Sequence, residues 1–208
     1  MITVIPGNRT AEYPEIFDAV HALRHQVFVD EMEWTDLASP DKREVDQFDD
    51  EHTMHLVSMQ EGEVAGYIRV LPSERPHLLT DVLPDLQEVE CDVGPDTWEA
   101  SRYCVSPRWR EGRRAFGSVG GELIAGLVEW SLASDVKHLI FEFEANWILR
   151  ALQLQFLVQP LGRLHQIGKQ SVVAARLSIT STTLPAIRDK REYHQPVIRG
   201  LEPIKLAS

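Results

Sequence analysis

The run Trp98-Glu99-Ala100-Ser101-Arg102-Tyr103-Cys104-Val105 has the composition of a β-strand. It holds aromatic and β-branched side chains, with a Gly94-Pro95-Asp96 turn signal ahead of it and Pro107 just behind. Alternation at period two puts Glu99, Ser101, Tyr103 and Val105 on one face, and Trp98, Ala100, Arg102 and Cys104 on the other. Each face then carries a charge in mid-strand, where burial is costly without a partner. Either the two charges belong to an internal ion-pair network, or Glu99 is a carboxylate held in a cleft to act as a base.

Outward from this strand, hydrophobic periodicity places the other elements. Residues 2–5 read as a short strand. Ile16, Phe17, Val20, Leu23, Val27 and Phe28 recur at helical spacing and predict a helix from Thr10, as N-cap, to about Val29. Arg24 lies on or beside its apolar face. Residues 30–52 form a long acidic segment holding Trp34, and its Asp41-Lys42-Arg43-Glu44 run reads as a solvated face. Met54–Met59 and Val64–Leu71 predict two antiparallel strands around a Glu61-Gly62 turn, with Arg69 as a second mid-strand charge. A loop-rich stretch follows, with a short helical piece near 81–86. Beyond the central strand come a basic turn (Arg108, Arg110, Arg113 and Arg114) and a helix over 118–134 with Leu123, Ile124, Leu127, Val128 and Leu132 inward. Then come a strand at 138–143, an amphipathic helix at 145–158 stopped by Pro160 and Gly162, a strand near 172–179 and a helix around 185–193.

A hairpin followed by alternating helices and strands predicts an α/β fold with a mixed sheet and helices on both faces, an α/β/α sandwich. Without repeats or a linker, residues 1–208 read as one domain. The 208 residues are enough for a real core, and 43% apolar with 25% charged residues is ordinary for a globular protein. No apolar run approaches the ~20 residues of a membrane span, and the N-terminus lacks the pattern of a signal peptide. Cys91 and Cys104 are too few for a disulfide scaffold and have no metal-ligand spacing around them, so they read as reduced thiols in a cytoplasmic protein with no metal site. A net charge of −11 argues against nucleic acid and against an anionic membrane surface as partners.

Several polar and aromatic residues stand where an ordinary core would not place them: Arg24, Phe28, Trp34, Asp46, Asp49, Arg69, Glu99, Ser101 and Arg102. Singly, each has a structural explanation: a core ring, a loop cap, an N-cap, a helix-surface charge. In their order and spacing the chain resembles the acyl-homoserine lactone synthases, the autoinducer synthases of bacterial quorum sensing. The resemblance rests on Arg24, Phe28 and Trp34; on Glu44-Val45-Asp46-Gln47-Phe48-Asp49, with Phe48 where the family often has tyrosine; on Tyr67-Ile68-Arg69-Val70-Leu71-Pro72; and on Trp98-Glu99-Ala100-Ser101-Arg102. It holds over about residues 20–130, and the C-terminal third is similar only in pattern.

The resemblance implies an N-acyltransferase-like fold and a reaction between an acyl thioester and S-adenosylmethionine, both substrates, with no separate cofactor. The products are an N-acyl-L-homoserine lactone, 5′-methylthioadenosine and the free thiol carrier. Glu99 matches the family's base and Arg102 stands with it as a catalytic residue. Arg24, Phe28, Trp34, Asp46, Asp49, Arg69 and Ser101 match the S-adenosylmethionine site: ring faces for the sulfonium and adenine, arginines for the carboxylate, acids to hold those arginines or to meet the ammonium.

The thioester can arrive on acyl carrier protein or on coenzyme A. The helix at 145–158 offers only Arg150, and a charge of −11 opposes an acidic carrier, within the limits of screening. This leans toward the family's acyl-CoA branch, which uses branched or aromatic acids. Arg108, Arg110, Arg113 and Arg114, leading through Gly117 to a helix N-terminus, are then candidates for the CoA phosphates, against the alternative of a solvated basic loop. Tyr103, Phe141, Phe143 and Trp147 are assigned to the acyl pocket, where large rings favour a short, branched or aryl acyl group. The competing functions are a plain CoA-dependent amine N-acyltransferase and a non-catalytic binding protein on the same fold.

Overall fold

A computed structural model describes residues 1–110, 118–191 and 195–198. The chain divides into two compact units. One takes in Met1–Val70, Arg102–Leu127 and the segment from Gln195. The other takes in Leu71–Ser101 and the segment from Val128.

In the first unit, β1 (Ile2–Pro6) pairs antiparallel with β2 (Met54–Gln60), and β2 with β3 (Glu63–Pro72). The β2–β3 turn has positive φ at Glu61 (50°) and Gly62 (84°), the tight hairpin geometry that the sequence signalled. Helix α1 (Pro14–Arg24) covers one face of these strands. Its Phe17, Val20 and Leu23 pack with Ile5, Val57, Tyr67 and Cys104. On the other face lies the start of α3 (Ser118–Ala133), whose Val119 and Leu123 crowd against Gly66.

The helix predicted from Thr10 begins instead at Pro14, because proline is preorganised for the first helical position, and residues 7–12 form a 3₁₀ turn. It also runs on differently, as a π-helix over His25–Glu31. The described residues contain no helix long and apolar enough to cross a membrane.

In the second unit, β4 (Thr97–Val105) runs parallel to β5 (His138–Glu144) from Thr97 to Glu99. β5 pairs antiparallel with β8 (Gln170–Ser178), which also pairs with β6 (Leu157–Pro160) and β7 (His165–Ile167). Leu79 of α2 (Leu78–Asp81) packs with Leu86, Cys91, Ile140, Leu161, Val172 and Ala174. Trp98 meets Trp130 edge to face at 5.1 Å. Helix α4 (Asn146–Gln153) is shorter than predicted. Gln155 takes a left-handed φ of 62°, and the apolar residues after it become β6. Helix α5 (Thr183–Arg191) ends the described part of this unit. Leu132, predicted to face inward, is half exposed. Both cysteines are free and buried. The parallel and antiparallel pairings together make this the mixed α/β class that the sequence predicts.

The strict alternation predicted for β4 does not hold. Trp98 packs on Trp130 of α3, and Tyr103 lies against Gly120 of the same helix, where an added Cβ would stand 2.5 Å from its Oη. Cys104, next to Tyr103, packs on the α1 side. Arg102, at a φ of 55°, leaves the extended region and breaks the pleat. A left-handed conformation costs a non-glycine residue about 1–3 kcal/mol and persists only where the surroundings over-determine it.

Candidate active site

The surroundings of Arg102 are a closed ring of six charged side chains, all in the first unit. Arg24, the last residue of α1, donates through Nε to Glu44 Oε2 (2.5 Å) and through Nη1 to Asp49 Oδ1 (2.7 Å). Asp49 Oδ1 also accepts from Arg69 Nη1 (3.0 Å), and Arg69 donates to both oxygens of Asp46 (2.5 and 3.0 Å). Asp46 Oδ2 accepts from Arg102 Nη2 (2.7 Å), and Arg102 closes the cycle on Glu44 through Nη2 (3.0 Å) and Nε (3.2 Å). Three cations alternate with three anions, so the ring is neutral and each charge has at least two opposite neighbours, with Arg24 Nη2 also 4.0 Å from Asp46 Oδ2 across it.

Local sequence builds the acidic half. The Glu44 N–H is anchored on the His21 carbonyl (3.1 Å). Asp46 accepts from the Phe48 N–H, and Asp49 from the Asp46 N–H, both at 2.9 Å, so the two aspartates fold the segment on itself. Phe48 is buried with the Arg69 guanidinium 5.7 Å above its ring. The basic half comes from regular elements, the end of α1 and the strands β3 and β4.

Burial drives the strengths. Arg24 and Arg69 are 0% exposed, while the Asp46 side chain, at 11%, is the most open member. Burial alone pushes the Asp49 and Glu44 carboxyls up. Arg24 with Arg69, and Arg24 with Arg102, outweigh it and hold both below their ordinary values. Arg24 is raised well above its usual range, its desolvation overcome by the surrounding negative partners.

The aromatic residues adjoin this ring. The π-helix carries Phe28, and Glu33, at φ 60°, turns the chain so that Trp34 stacks on Phe28 (5.4 Å, 19°). The Arg102 guanidinium carbon lies 5.5 Å from the Phe28 centroid. Phe28 is a core residue, while Trp34 remains half-buried. A π-helix is rare and is found mostly at functional sites.

Glu99 belongs to the second unit and is fully buried. Its Oε2 accepts the Leu78 N–H and its Oε1 the Leu79 N–H, each at 2.9 Å, so the carboxylate sits on the first turn of α2. Ser101 is buried beside it in the strand. Phe141 and Phe143 share a face of β5, ring centroids 5.8 Å apart, opposite Ala175 and Val173 of β8. Trp147 on α4 is half-buried under the Arg150 guanidinium at 4.9 Å. Tyr103 lies in the first unit against Gly120. Arg108 is bound to Glu61 (2.9 Å) and Glu63 (2.6 Å), and Arg110 to Glu31 (2.5 Å). Arg113 and Arg114 lie outside the described residues.

Arg24, Asp46, Asp49, Arg69 and Arg102 therefore come together, with Phe28 and Trp34 alongside. Glu44, read as part of a solvated run, is instead 1% exposed and bridges two arginines. Its sign in the sequence is its place at the head of the Glu44–Asp49 stretch, two residues before Asp46. Phe48 and Tyr67, which lie within the quoted motif stretches without an assigned role, put their rings against Arg69 and Arg24, and His55, which carries no sequence signal, bonds Tyr67.

The class of protein that this mixed α/β fold and its charged ring belong to, an acyltransferase, is given by the comparisons. The chain belongs to the autoinducer synthase family, which it matches over residues 8–186. The isovaleryl-homoserine lactone synthase of Bradyrhizobium diazoefficiens is 31% identical over 191 residues, 91% of this chain and 85% of the relative. The structure of BjaI, a CoA-dependent acyl-homoserine lactone synthase with SAM and isopentyl-CoA, superposes with a TM-score of 0.87 at 30% identity, covering 96% of this chain and 92% of that one. An acyl-CoA N-acyltransferase from Pseudomonas aeruginosa, 16% identical with a TM-score of 0.59 over 85% of this chain and 98% of that one, shares the fold alone. The chain is an acyltransferase of the acyl-homoserine-lactone synthase family, an enzyme of quorum-sensing autoinducer synthesis.

Proposed function

We propose that this enzyme makes its lactone from S-adenosylmethionine and an acyl-CoA bearing a short branched or aryl acyl group, within one catalytic domain spanning residues 1–208, in the cytoplasm. The substrate amine loses a proton and attacks the thioester carbonyl. The C–S bond breaks and CoA leaves as the thiol. The methionyl carboxylate then attacks the γ-carbon, the sulfonium C–S bond breaks, and 5′-methylthioadenosine departs with the bonding pair.

The ring of Arg24, Glu44, Asp46, Asp49, Arg69 and Arg102 carries the S-adenosylmethionine assignment. Its inner arginines are already held by carboxylates, which supports the reading that the acids fix the arginines in place. Asp46, the most open member, and Arg102, the most open of the three arginines, are then the groups offered to the ammonium and carboxylate, and Trp34 offers a ring face to the sulfonium or adenine. Glu99 is the proposed base, directly or through a water, with Ser101 orienting it or the substrate. Anchorage on two backbone amides gives Glu99 a fixed position.

For the acyl donor, the support is the CoA-dependent relative together with the Arg150–Trp147 contact, which occupies the cation of α4. Arg108 and Arg110 can exchange their exposed carboxylate partners for CoA phosphates at small cost, since exposed ion pairs are weak. Phe141, Phe143, Trp147 and Tyr103 are proposed to bound the acyl group.

The test is mass spectrometry of products from purified enzyme and S-adenosylmethionine with a panel of acyl-CoAs and matching acyl carrier proteins. Lactone plus methylthioadenosine from the short branched or aryl CoA esters is the expected result. Product from carrier protein alone overturns the donor. Acylated amine without methylthioadenosine overturns the reaction.

A further inference from the structure

Behind the arginines lies a second polar layer, formed by a histidine outside the family motifs and a tyrosine to which the sequence assigned no role. His55 on β2 and Tyr67 on β3 are diagonal neighbours in the hairpin ladder. His55 Nδ1 and Tyr67 Oη share a hydrogen bond of 2.6 Å, and both side chains are buried. Phe17 of α1 meets the His55 ring edge to face at 4.8 Å. The Arg24 guanidinium carbon lies 5.7 Å from the Tyr67 ring centroid. Contacts thus run unbroken from Phe17 through His55 and Tyr67 to Arg24, and on to Glu44 and Asp49.

This layer meets a need that the carboxylates leave open. Glu44 and Asp49 hold Arg24 through Nε and Nη1, while Nη2 is buried without a hydrogen-bond partner. The bonds to Glu44 and Asp49 lie in the guanidinium plane, and with Nη2 no closer than 4.0 Å to Asp46 Oδ2, rocking of that plane is limited by what packs on its face, the ring of Tyr67. Tyr67 can serve only if it stays neutral and in place. Burial raises its pKa, and burial lowers that of His55 to about 3, so neither adds a charge beside the arginines. A leucine would fill part of the core volume without a ring face, and a phenylalanine nearly all of it without a hydroxyl to anchor it.

We propose that His55 and Tyr67 are a positioning pair for the S-adenosylmethionine site, fixing the plane of the Arg24 guanidinium and, through it, the placement of Glu44 and Asp49. The inference rests on the reading of the ring as that site.

Steady-state kinetics and calorimetric titration with S-adenosylmethionine test it on the wild-type enzyme, Tyr67→Leu and Tyr67→Phe, at a temperature well below each melting point. Loss of the ring face in Tyr67→Leu raises the KM and Kd for S-adenosylmethionine about tenfold, with the KM for acyl-CoA within about twofold. Tyr67→Phe, which keeps the face and loses its tether, shows about a threefold rise with the same selectivity. A folded Tyr67→Leu with unchanged S-adenosylmethionine constants, or with both KM values raised alike, overturns the proposal and leaves the pair to packing alone. If Tyr67→Leu does not fold, Tyr67→Phe decides by the same criterion. Wild-type enzyme that fails to bind S-adenosylmethionine overturns the site and this inference together. Binding by the wild type with indifferent variants overturns the inference alone.

Discussion

In the first unit, six charged side chains satisfy one another in a closed ring, with rings of Phe28, Tyr67 and Phe48 against its arginines. In the second, the β5–β8 wall sets Phe141 and Phe143 opposite Ala175 and Val173, a face shaped by volume. A charged ring tolerates almost no substitution, because any loss leaves a buried charge unpaired. An apolar wall tolerates many, provided the volume is kept. The difference matches the two substrates of the proposed reaction, one a charged sulfonium amino acid and the other carrying an apolar acyl group.

The sharpest way to break this comparison is Glu44→Gln. It removes one anion from the ring and leaves Arg24 and Arg102 sharing a neutral amide. Loss of one partner of a buried pair typically costs about 3–5 kcal/mol, a large part of a domain's total stability. Urea unfolding should show that loss, and lactone formation should fall with it. A cost under about 1 kcal/mol would mean that the ring relaxes around the gap and is no more specified than the apolar wall.

Legibility in the sequence followed the same division. Arg24, Asp46, Asp49, Arg69 and Arg102 stood out because charges at core positions need a reason, and their order supplied one. Glu44 was hidden because its neighbours Asp41, Lys42 and Arg43 are charged and because its two arginine partners lie 20 and 58 residues away. The break in β4 was hidden for the same reason. Nothing in local propensity gives an arginine a φ of 55°; its bonds to Glu44 and Asp46 hold it there. In the C-terminal third, residues 154–158 fit helix and strand alike by composition, and only the reversal at Gln155 settles them as β6.

Acid should strain the first unit well before it protonates the carboxylates. His55 is buried neutral with a pKa of about 3, below its ordinary 6.5, so the unfolded chain binds the proton more readily. The stability this contributes is full above about pH 6.5 and is lost progressively as pH falls toward 3. By pH 4.5 the loss from His55 is about 3 kcal/mol. Asp49 and Glu44, both depressed, add the same sign of dependence only below about pH 4.5. Melting curves from pH 7.5 to 3 should therefore fall in two stages. In His55→Gln the upper stage should flatten, save for a remainder from His21 and His138, whose burial also lowers their pKa. An undiminished upper stage in that variant would assign it to other groups.

The apolar wall is expected to answer in selectivity more than in stability. Phe141→Ala deletes a half-buried ring and should cost about 1–2 kcal/mol, below the range for a fully buried phenylalanine. With the acyl-CoA panel, the preferred acyl group should lengthen, while the KM for S-adenosylmethionine stays within about twofold. An unchanged acyl profile would remove Phe141 from the pocket and weaken the contrast between the two regions.

The smallest effect is expected at Arg108, where neither kind of organisation applies. Its partners Glu61 and Glu63 are exposed, as it is, so Arg108→Ala should change stability by less than about 0.5 kcal/mol. If the residue exchanges these carboxylates for CoA phosphates, the variant should still raise the KM for acyl-CoA about threefold, and rising salt should erase the difference from wild type. Such an effect in kinetics without one in melting temperature would mark a charge kept for an incoming ligand. No change in either would leave Arg108 as a surface ion pair, and the CoA phosphates to other cations.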